Sequence, residues 1–130
     1  MTSSDQNDSL FRDLIWAFAI SYLFVVGLCL LFEPTWQTND DVWRSMIAHG
    51  YGFATQGSPE LLRTNIIWGH LVRAIPSING VLGYSTATFA SLIAFGTALV
   101  YAVRRMGLGW PLAFALLVLI LTRPVLSPQF

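Results

Sequence analysis

The chain has 130 residues, of which 55% are hydrophobic and only 11% are charged, and its formal net charge is zero. This balance lies outside the usual range of soluble domains and is typical of an integral membrane protein. The basic residues are all arginine and form no basic run, which excludes nucleic acid as a partner, and the single cysteine excludes a disulfide or a cysteine-based metal site within the chain.

The first predicted element follows a short cytoplasmic tail, residues 1–13. Residues 14–32 (LIWAFAISYLFVVGLCLLF) carry no charge over 19 positions. At about 1.5 Å per residue, a helix of this length matches a hydrocarbon core of roughly 30 Å. A cleaved signal peptide is the competing interpretation, but its apolar region would be shorter and followed by a small-x-small cleavage site. We therefore predict a transmembrane helix.

Residues 33–83 form the next segment, which holds half of the charged residues in the chain and so cannot lie in lipid. We predict an outer loop with two short helices, one over about residues 40–49 and one over about residues 59–74. Gly50, directly after the first of them, is a typical residue for ending a helix.

The acidic pair Asp40 and Asp41 has two interpretations. With Asn39 as N-cap, both carboxylates stand in the first helical turn, where the helix dipole favours negative charge. Alternatively, the flanking tryptophans hold the pair at headgroup depth, where a partly desolvated carboxylate accepts a proton more readily and acts as a general base. Successive helical residues point about 100° apart, so at most one of the two faces a given reacting group.

The second short helix is indicated by Ser58 as N-cap and Pro59 at the first helical position. Its polar side carries Arg63, His70 and Arg73, and its apolar side predicts an amphipathic helix at the membrane interface. The polar stripe fits a phosphate or pyrophosphate, which the guanidinium fork binds well. The pattern favours somewhat more a solvated face that meets lipid headgroups.

Residues 84–103 (YSTATFASLIAFGTALVYAV) give the second predicted transmembrane helix, with a tyrosine near each end at interface depth. Small residues recur at every fourth position within it: Ala90, Ala94, Ala98 and Ala102. Such a strip lets the backbone of another helix approach closely, although alanine is also simply common in these helices. Helix packing through this strip is one of two alternatives.

The third predicted crossing comprises residues 110–126, after a short basic turn at residues 104–109. Its apolar run is brief, and it crosses a bilayer only if Arg123 reaches the interface and Pro124 is accommodated near the end. Because cytoplasmic loops are rich in arginine, the Arg104 and Arg105 pair puts this turn and the N-terminus inside. The predicted class is an all-α integral membrane protein with about three transmembrane helices.

Metal chemistry has little support. Two histidines, His49 and His70, and nearby carboxylates could bind a divalent ion in principle, but no spacing such as HExxH or an EF-hand loop is present. We expect no metal and no cofactor.

The order of apolar and polar regions resembles a known layout. Two segments add to this resemblance, TNDDVWRSMIAHGYG and SPELLRTNIIWGHL. The chain is similar to the amino-terminal part of the GT-C class of polytopic glycosyltransferases, and in particular to its uncharacterised bacterial members. The resemblance extends over roughly residues 11–130 and rests on layout and on these two segments.

The resemblance implies a transferase in the bacterial inner membrane that passes a sugar from a polyprenyl-phosphate donor to an acceptor on the outer side. An acid on the first outer loop is the base in that class, which corresponds here to Asp40 or Asp41, and the arginines would neutralise the departing phosphate. Members of the class have many more crossings, so we expect a fragment of a longer parent, inactive alone. The alternative is a small, non-catalytic membrane protein that binds a partner helix.

Overall fold

The computed structural model describes residues 3–32, 34, 39–61, 66–76 and 83–127, and of residues 3–8 and 39–41 it describes the backbone alone. Within these residues the chain is helical and contains no strand. The helices are α1 (Ser3–Leu31), α2 (Asn39–His49), α3 (Ile66–Ala74), α4 (Gly83–Arg105) and α5 (Trp110–Leu126). The predicted all-α class is therefore confirmed for the described residues.

Two of these helices have the length and composition of membrane-crossing helices. Ser9–Leu31 of α1 and the whole of α4 are each 23 residues long, and their most apolar 18-residue windows have mean hydropathies of 2.5 and 1.7. Only 17% of the most apolar window of α1 is buried, and 33% of that of α4, so most of their apolar side chains face outward. A helix in a soluble core would bury them, whereas a lipid-facing helix exposes them. These two helices indicate a membrane protein.

Helix α5 is shorter. Its 17 residues extend over about 26 Å at 1.5 Å per residue, which is less than a hydrocarbon core of roughly 30 Å. Pro124 lies inside the helix, near its end. A third crossing therefore stays a prediction.

Contacts divide the chain into two compact units. The first, called here the bundle unit, comprises Met1–Pro34 and Ser91–Leu126, and the second, the loop unit, comprises Thr35–Ala90 and Ser127–Phe130. The bundle unit thus contains α1, α5 and the larger part of α4. The loop unit contains α2, α3 and the first turns of α4.

One strip of each helix holds the bundle unit together. The buried residues of α5 repeat every fourth position: Ala113, Leu117, Leu121 and Val125. Those of α1 are Ala17, Ser21 and Val25, and those of α4 within this unit are Leu92, Gly96, Val100 and Val103. Residues four apart lie on one side of a helix, so each helix buries a narrow face. The other sides stay exposed, as at Leu30 (81%) and Leu119 (78%).

Gly96 marks a close approach of the three helices. A Cβ atom at this position would lie 2.9 Å from Leu121 Cδ2, 3.1 Å from Leu117 Cδ1 and 3.1 Å from Ser21 Oγ. Small residues at interfaces allow membrane helices to pack closely in this way. The sequence pattern predicts close packing at the alanine strip of the same helix and not at Gly96.

The loop unit has a small core of its own, formed by Ala48, Leu61, Val72, Tyr84 and Ala87. Three partly buried apolar side chains, Ile47, Trp68 and Ile75, pack against it. The core joins the end of α2, one face of α3 and the first turns of α4. The segment between the two apolar helices is therefore a folded element.

The end of α2 is closed by backbone hydrogen bonds. Gly50 has a φ of 70°, a conformation that glycine adopts without steric cost. The N–H groups of Gly50 and Tyr51 donate to the carbonyl of Met46 at 2.8 and 3.3 Å, and the N–H of Ser58 donates to the carbonyl of Ile47 at 2.8 Å. The chain after α2 thus folds back onto the last turn of that helix.

The described part of helix α3 is Ile66–Ala74, whereas the sequence pattern predicts a helix over about residues 59–74. Residues 58–61 are not helical, and the backbone N–H of Glu60 donates to Ser58 Oγ at 3.1 Å. This is the local turn that serine forms with the residue two positions later. The signal used to predict a helix start therefore belongs to a turn.

Candidate active site

The predicted catalytic pair stands at the start of α2. This helix begins at Asn39, so Asp40 and Asp41 occupy its first turn, where the positive end of the helix dipole favours carboxylates. Their side chains lie outside the described part of the structure. Whether either carboxylate serves as a helix cap or as a base therefore stays open.

Arg44 is a charged residue that the sequence-based assignment of the site left out. It lies one turn after the acidic pair and is only 7% exposed. Arginine is almost never this buried unless its charge is compensated. In the sequence an acid, Asp40, precedes Arg44 by four residues, and this i, i+4 spacing on a predicted helix is the signal that could identify Arg44.

His49, the last residue of α2, makes a long-range hydrogen bond within the loop unit. Its Nε2 accepts the backbone N–H of Tyr84 at 3.1 Å, across 35 residues of sequence. Tyr84 is the second residue of α4, whose first N–H groups have no partner within the helix. The imidazole therefore caps the N-terminus of α4. Because Nε2 is the acceptor, the neutral ring carries its proton on Nδ1.

The surroundings of His49 oppose its protonation. Burial and, to a lesser extent, the positive charge of Arg73 lower the pKa of His49. The first residue of α4, Gly83, lies so close that a Cβ atom there would be 3.0 Å from His49 Cε1 and would clash with the carbonyl oxygen of Ile75. The ring is thus held in a tight site that favours its neutral form.

The predicted phosphate-binding residues are only partly brought together. His70 and Arg73 are both exposed and lie one turn apart on α3. Arg63 lies outside the described residues. Arg73 extends towards Gly57, in the loop that follows α2. A Cβ atom at Gly57 would be 3.6 Å from Arg73 Nε. Its guanidinium therefore lies near the loop that closes α2.

The acidic pair and Arg73 are found towards opposite ends of α2. Arg73 acts electrostatically on His49, the last residue of the helix. From Asp41 to His49 the helix rises about 12 Å. A group that contacts both the acids and Arg73 must therefore be larger than a phosphate.

The four alanines of the predicted packing strip, Ala90, Ala94, Ala98 and Ala102, are all exposed. The opposite side of α4 carries the buried residues, including Gly96. The strip is therefore not used for packing among the described residues.

Metal ligands are not grouped within the described part of the chain. No set of three or more histidine, cysteine, aspartate or glutamate side chains in that part is arranged to hold a metal ion.

Comparisons of the chain with protein-family models, with curated proteins and with solved structures give no match.

Proposed function

We propose that the chain forms the amino-terminal part of a GT-C type membrane glycosyltransferase, which takes a sugar from a polyprenyl-phosphate donor and passes it to an acceptor on the outer face. What supports the proposal is the position of Asp40 and Asp41. They occupy the first turn of a short helix, α2, that starts eight residues after the end of the first apolar helix, from Leu31 to Asn39. An acid that follows a membrane helix so closely in sequence is suited to proton transfer at the membrane surface.

In the proposed reaction one of the two carboxylates takes the proton from an acceptor hydroxyl. The hydroxyl oxygen attacks the anomeric carbon of the sugar, and the bond from that carbon to the phosphate oxygen breaks. The electron pair of this bond leaves with the polyprenyl phosphate. The base is needed because a neutral hydroxyl is a weak nucleophile.

Arg73, with Arg63 and His70, is the proposed partner of the phosphate. Guanidinium groups bind phosphate through paired hydrogen bonds and stabilise the charge that builds on the leaving group. The rise of about 12 Å along α2 between Asp41 and the His49 end, where Arg73 acts, leaves room for a sugar between base and phosphate. Part of the site would come from further helices of a longer parent chain.

We propose the bacterial inner membrane as the location, with the N-terminus inside. Arg104 and Arg105 follow the second apolar helix, and arginines beside membrane helices favour the cytoplasmic side. With two crossings before this turn, the loop unit lies outside.

The test is sugar transfer from a polyprenyl-linked donor by the intact gene product. We expect Asp40→Asn or Asp41→Asn to lower kcat by about a hundredfold or more, the usual contribution of a general base. Glu60→Gln is the matched control, because Glu60 is an exposed carboxylate in the same loop unit. Full activity of both aspartate variants would overturn the assignment.

A second candidate function is binding of a partner membrane helix along α4. It is favoured by the exposure of all four alanines on one side of that helix, at positions 90, 94, 98 and 102. We expect Ala94→Leu and Ala98→Leu to weaken association in a membrane two-hybrid assay. Phe95→Leu, at an exposed position next to the strip, serves as control. Unchanged association in the alanine variants would exclude this surface.

A further inference from the structure

The bundle unit contains two adjoining clefts of different character. The first has a volume of about 450 Å³ and is lined by apolar side chains: Ile20, Leu23, Phe24, Val100, Trp110 and Phe114. The second has a volume of about 400 Å³ and is lined by Arg12, Asp13, Trp16, Ile20, Arg104 and Trp110. Because Ile20 and Trp110 line both, a polar cleft continues into an apolar one.

Arg104 is fixed in position within the polar cleft. Its guanidinium lies over the ring of Trp110, 4.4 Å from the ring centroid, and one terminal nitrogen, Nη1, donates to the carbonyl of Leu108 at 2.9 Å. The stacking and the hydrogen bond orient the charged group before any ligand arrives, which reduces the entropy lost on binding.

The Nε atom of Arg104 is buried and has no hydrogen-bond partner among the described residues. A buried donor without a partner costs free energy, and the charge makes this cost larger. Nε–H lies on the edge of the guanidinium that binds phosphate oxygens in paired hydrogen bonds. The unpartnered donor therefore indicates a missing acceptor.

The charges of the cleft favour an anion. Arg12 and Arg104 contribute two positive charges, and the carboxylate of Asp13 contributes one negative charge. The remaining net charge is positive. Trp16 and Trp110 are residues typical of the depth at which lipid headgroups lie.

We propose that these clefts bind an anionic phospholipid of the surrounding bilayer. Its phosphate lies between Arg12 and Arg104, with the Nε of Arg104 as donor, and one acyl chain occupies the apolar cleft beside Phe24 and Phe114. A free phosphate would use only the polar cleft, whereas a phospholipid uses both. The proposal is independent of the glycosyltransferase proposal, because it concerns no residue of the loop unit.

The experiment is native mass spectrometry of the purified full chain, titrated with phosphatidylglycerol, phosphatidylcholine or inorganic phosphate. We expect retention of phosphatidylglycerol over phosphatidylcholine, and no retention of inorganic phosphate. Arg104→Gln and Arg12→Gln should each weaken phosphatidylglycerol binding by about tenfold, the equivalent of one charge-assisted hydrogen bond. Arg105→Gln is the matched control, since Arg105 is exposed and lines neither cleft.

Arg104→Gln also removes the stacking on Trp110, so its helix content is checked by circular dichroism. Arg12→Gln, at an exposed side chain, tests the same site without that risk. Equal loss of binding in Arg105→Gln and Arg12→Gln would show unspecific attraction of lipid to positive charge and overturn the proposal. Equal retention of phosphatidylglycerol and phosphatidylcholine, or retention of inorganic phosphate, would overturn it as well.

Discussion

Replacing His49 tests the contact that joins the end of α2 to the start of α4. In His49→Ala the backbone N–H of Tyr84 loses its acceptor, which lies at 3.1 Å. Loss of an N-cap costs about 0.5–2 kcal/mol, and a buried donor without a partner costs about 1–3 kcal/mol. Because this contact is only partly buried, we expect the free energy of unfolding to fall by about 1–2 kcal/mol.

The same contact makes stability depend on pH. Burial and the charge of Arg73 lower the pKa of His49, so the folded chain binds a proton less readily than the unfolded chain does. The stabilisation that neutral His49 provides is therefore fully present above the pKa of the unfolded chain's histidine, about 6.5. It is lost as pH falls towards the lower pKa of His49 in the folded chain. His49→Gln keeps an acceptor near the position of Nε2 and does not titrate, so it should retain much of the stability and flatten the pH dependence.

The assay is denaturant unfolding in detergent at about pH 8 and about pH 5, with amide hydrogen exchange at Tyr84 as the local readout. His70→Ala is the matched control, because His70 is the other histidine of the chain and is exposed on α3. Faster exchange at Tyr84 is expected in His49→Ala alone. If both alanine variants alter the pH dependence equally, or if Tyr84 exchanges at the wild-type rate in His49→Ala, the reasoning fails.

Two further predictions concern close contacts of glycine. Gly96→Ala places a methyl group against leucine side chains in the bundle unit and should cost about 1 kcal/mol of unfolding free energy, whereas Gly27→Ala in α1 meets nothing within 4 Å and should cost nothing. Equal stability of these two variants in denaturant unfolding would contradict the packing at Gly96. Gly69→Ala places its Cβ atom against the carbonyl oxygen of Pro59, a backbone atom that cannot simply rotate away. We expect a loss of about 3 kcal/mol by the same measurement, and a wild-type value would refute the position of the turn at residue 59.

The apolar helices are the part of the fold that sequence predicts best. Residues 14–32 and 84–103 were expected, and α1 and α4 extend over Ser3–Leu31 and Gly83–Arg105. A long uncharged run in lipid has few alternatives to a helix, because its backbone must satisfy its hydrogen bonds within the segment. The polar first turns of α1 were missed, since hydropathy registers contact with lipid and not the helical conformation.

Local signals were less informative where one pattern serves two structures. Ser58 and Pro59 fit a helix start, yet the hydrogen bond from the N–H of Glu60 to Ser58 Oγ closes a turn, and residues 58–61 are not helical. A serine hydroxyl makes much the same contact in both cases. The contact of Gly69 with the carbonyl of Pro59 joins residues ten positions apart and leaves no local pattern.

The contacts that organise the candidate sites join residues far apart in sequence and so leave no local pattern. His49 and Tyr84 are 35 positions apart, and the cleft around Arg104 joins α1 to the start of α5. The sequence marks His49 only as a histidine before a glycine. Arg104 is one of two adjacent arginines in the sequence. The sequence alone does not show that Arg104, and not Arg105, lines the cleft.

The cap that His49 provides also bears on the order of synthesis. Ribosomes release α2 before α4, so the group that fixes the first turn of α4 is already present when that helix emerges. The first turn of the second apolar helix therefore meets an acceptor that the ribosome has already made, 35 residues earlier in the chain. Conditions that delay folding of the loop unit would deprive the N–H of Tyr84 of this acceptor.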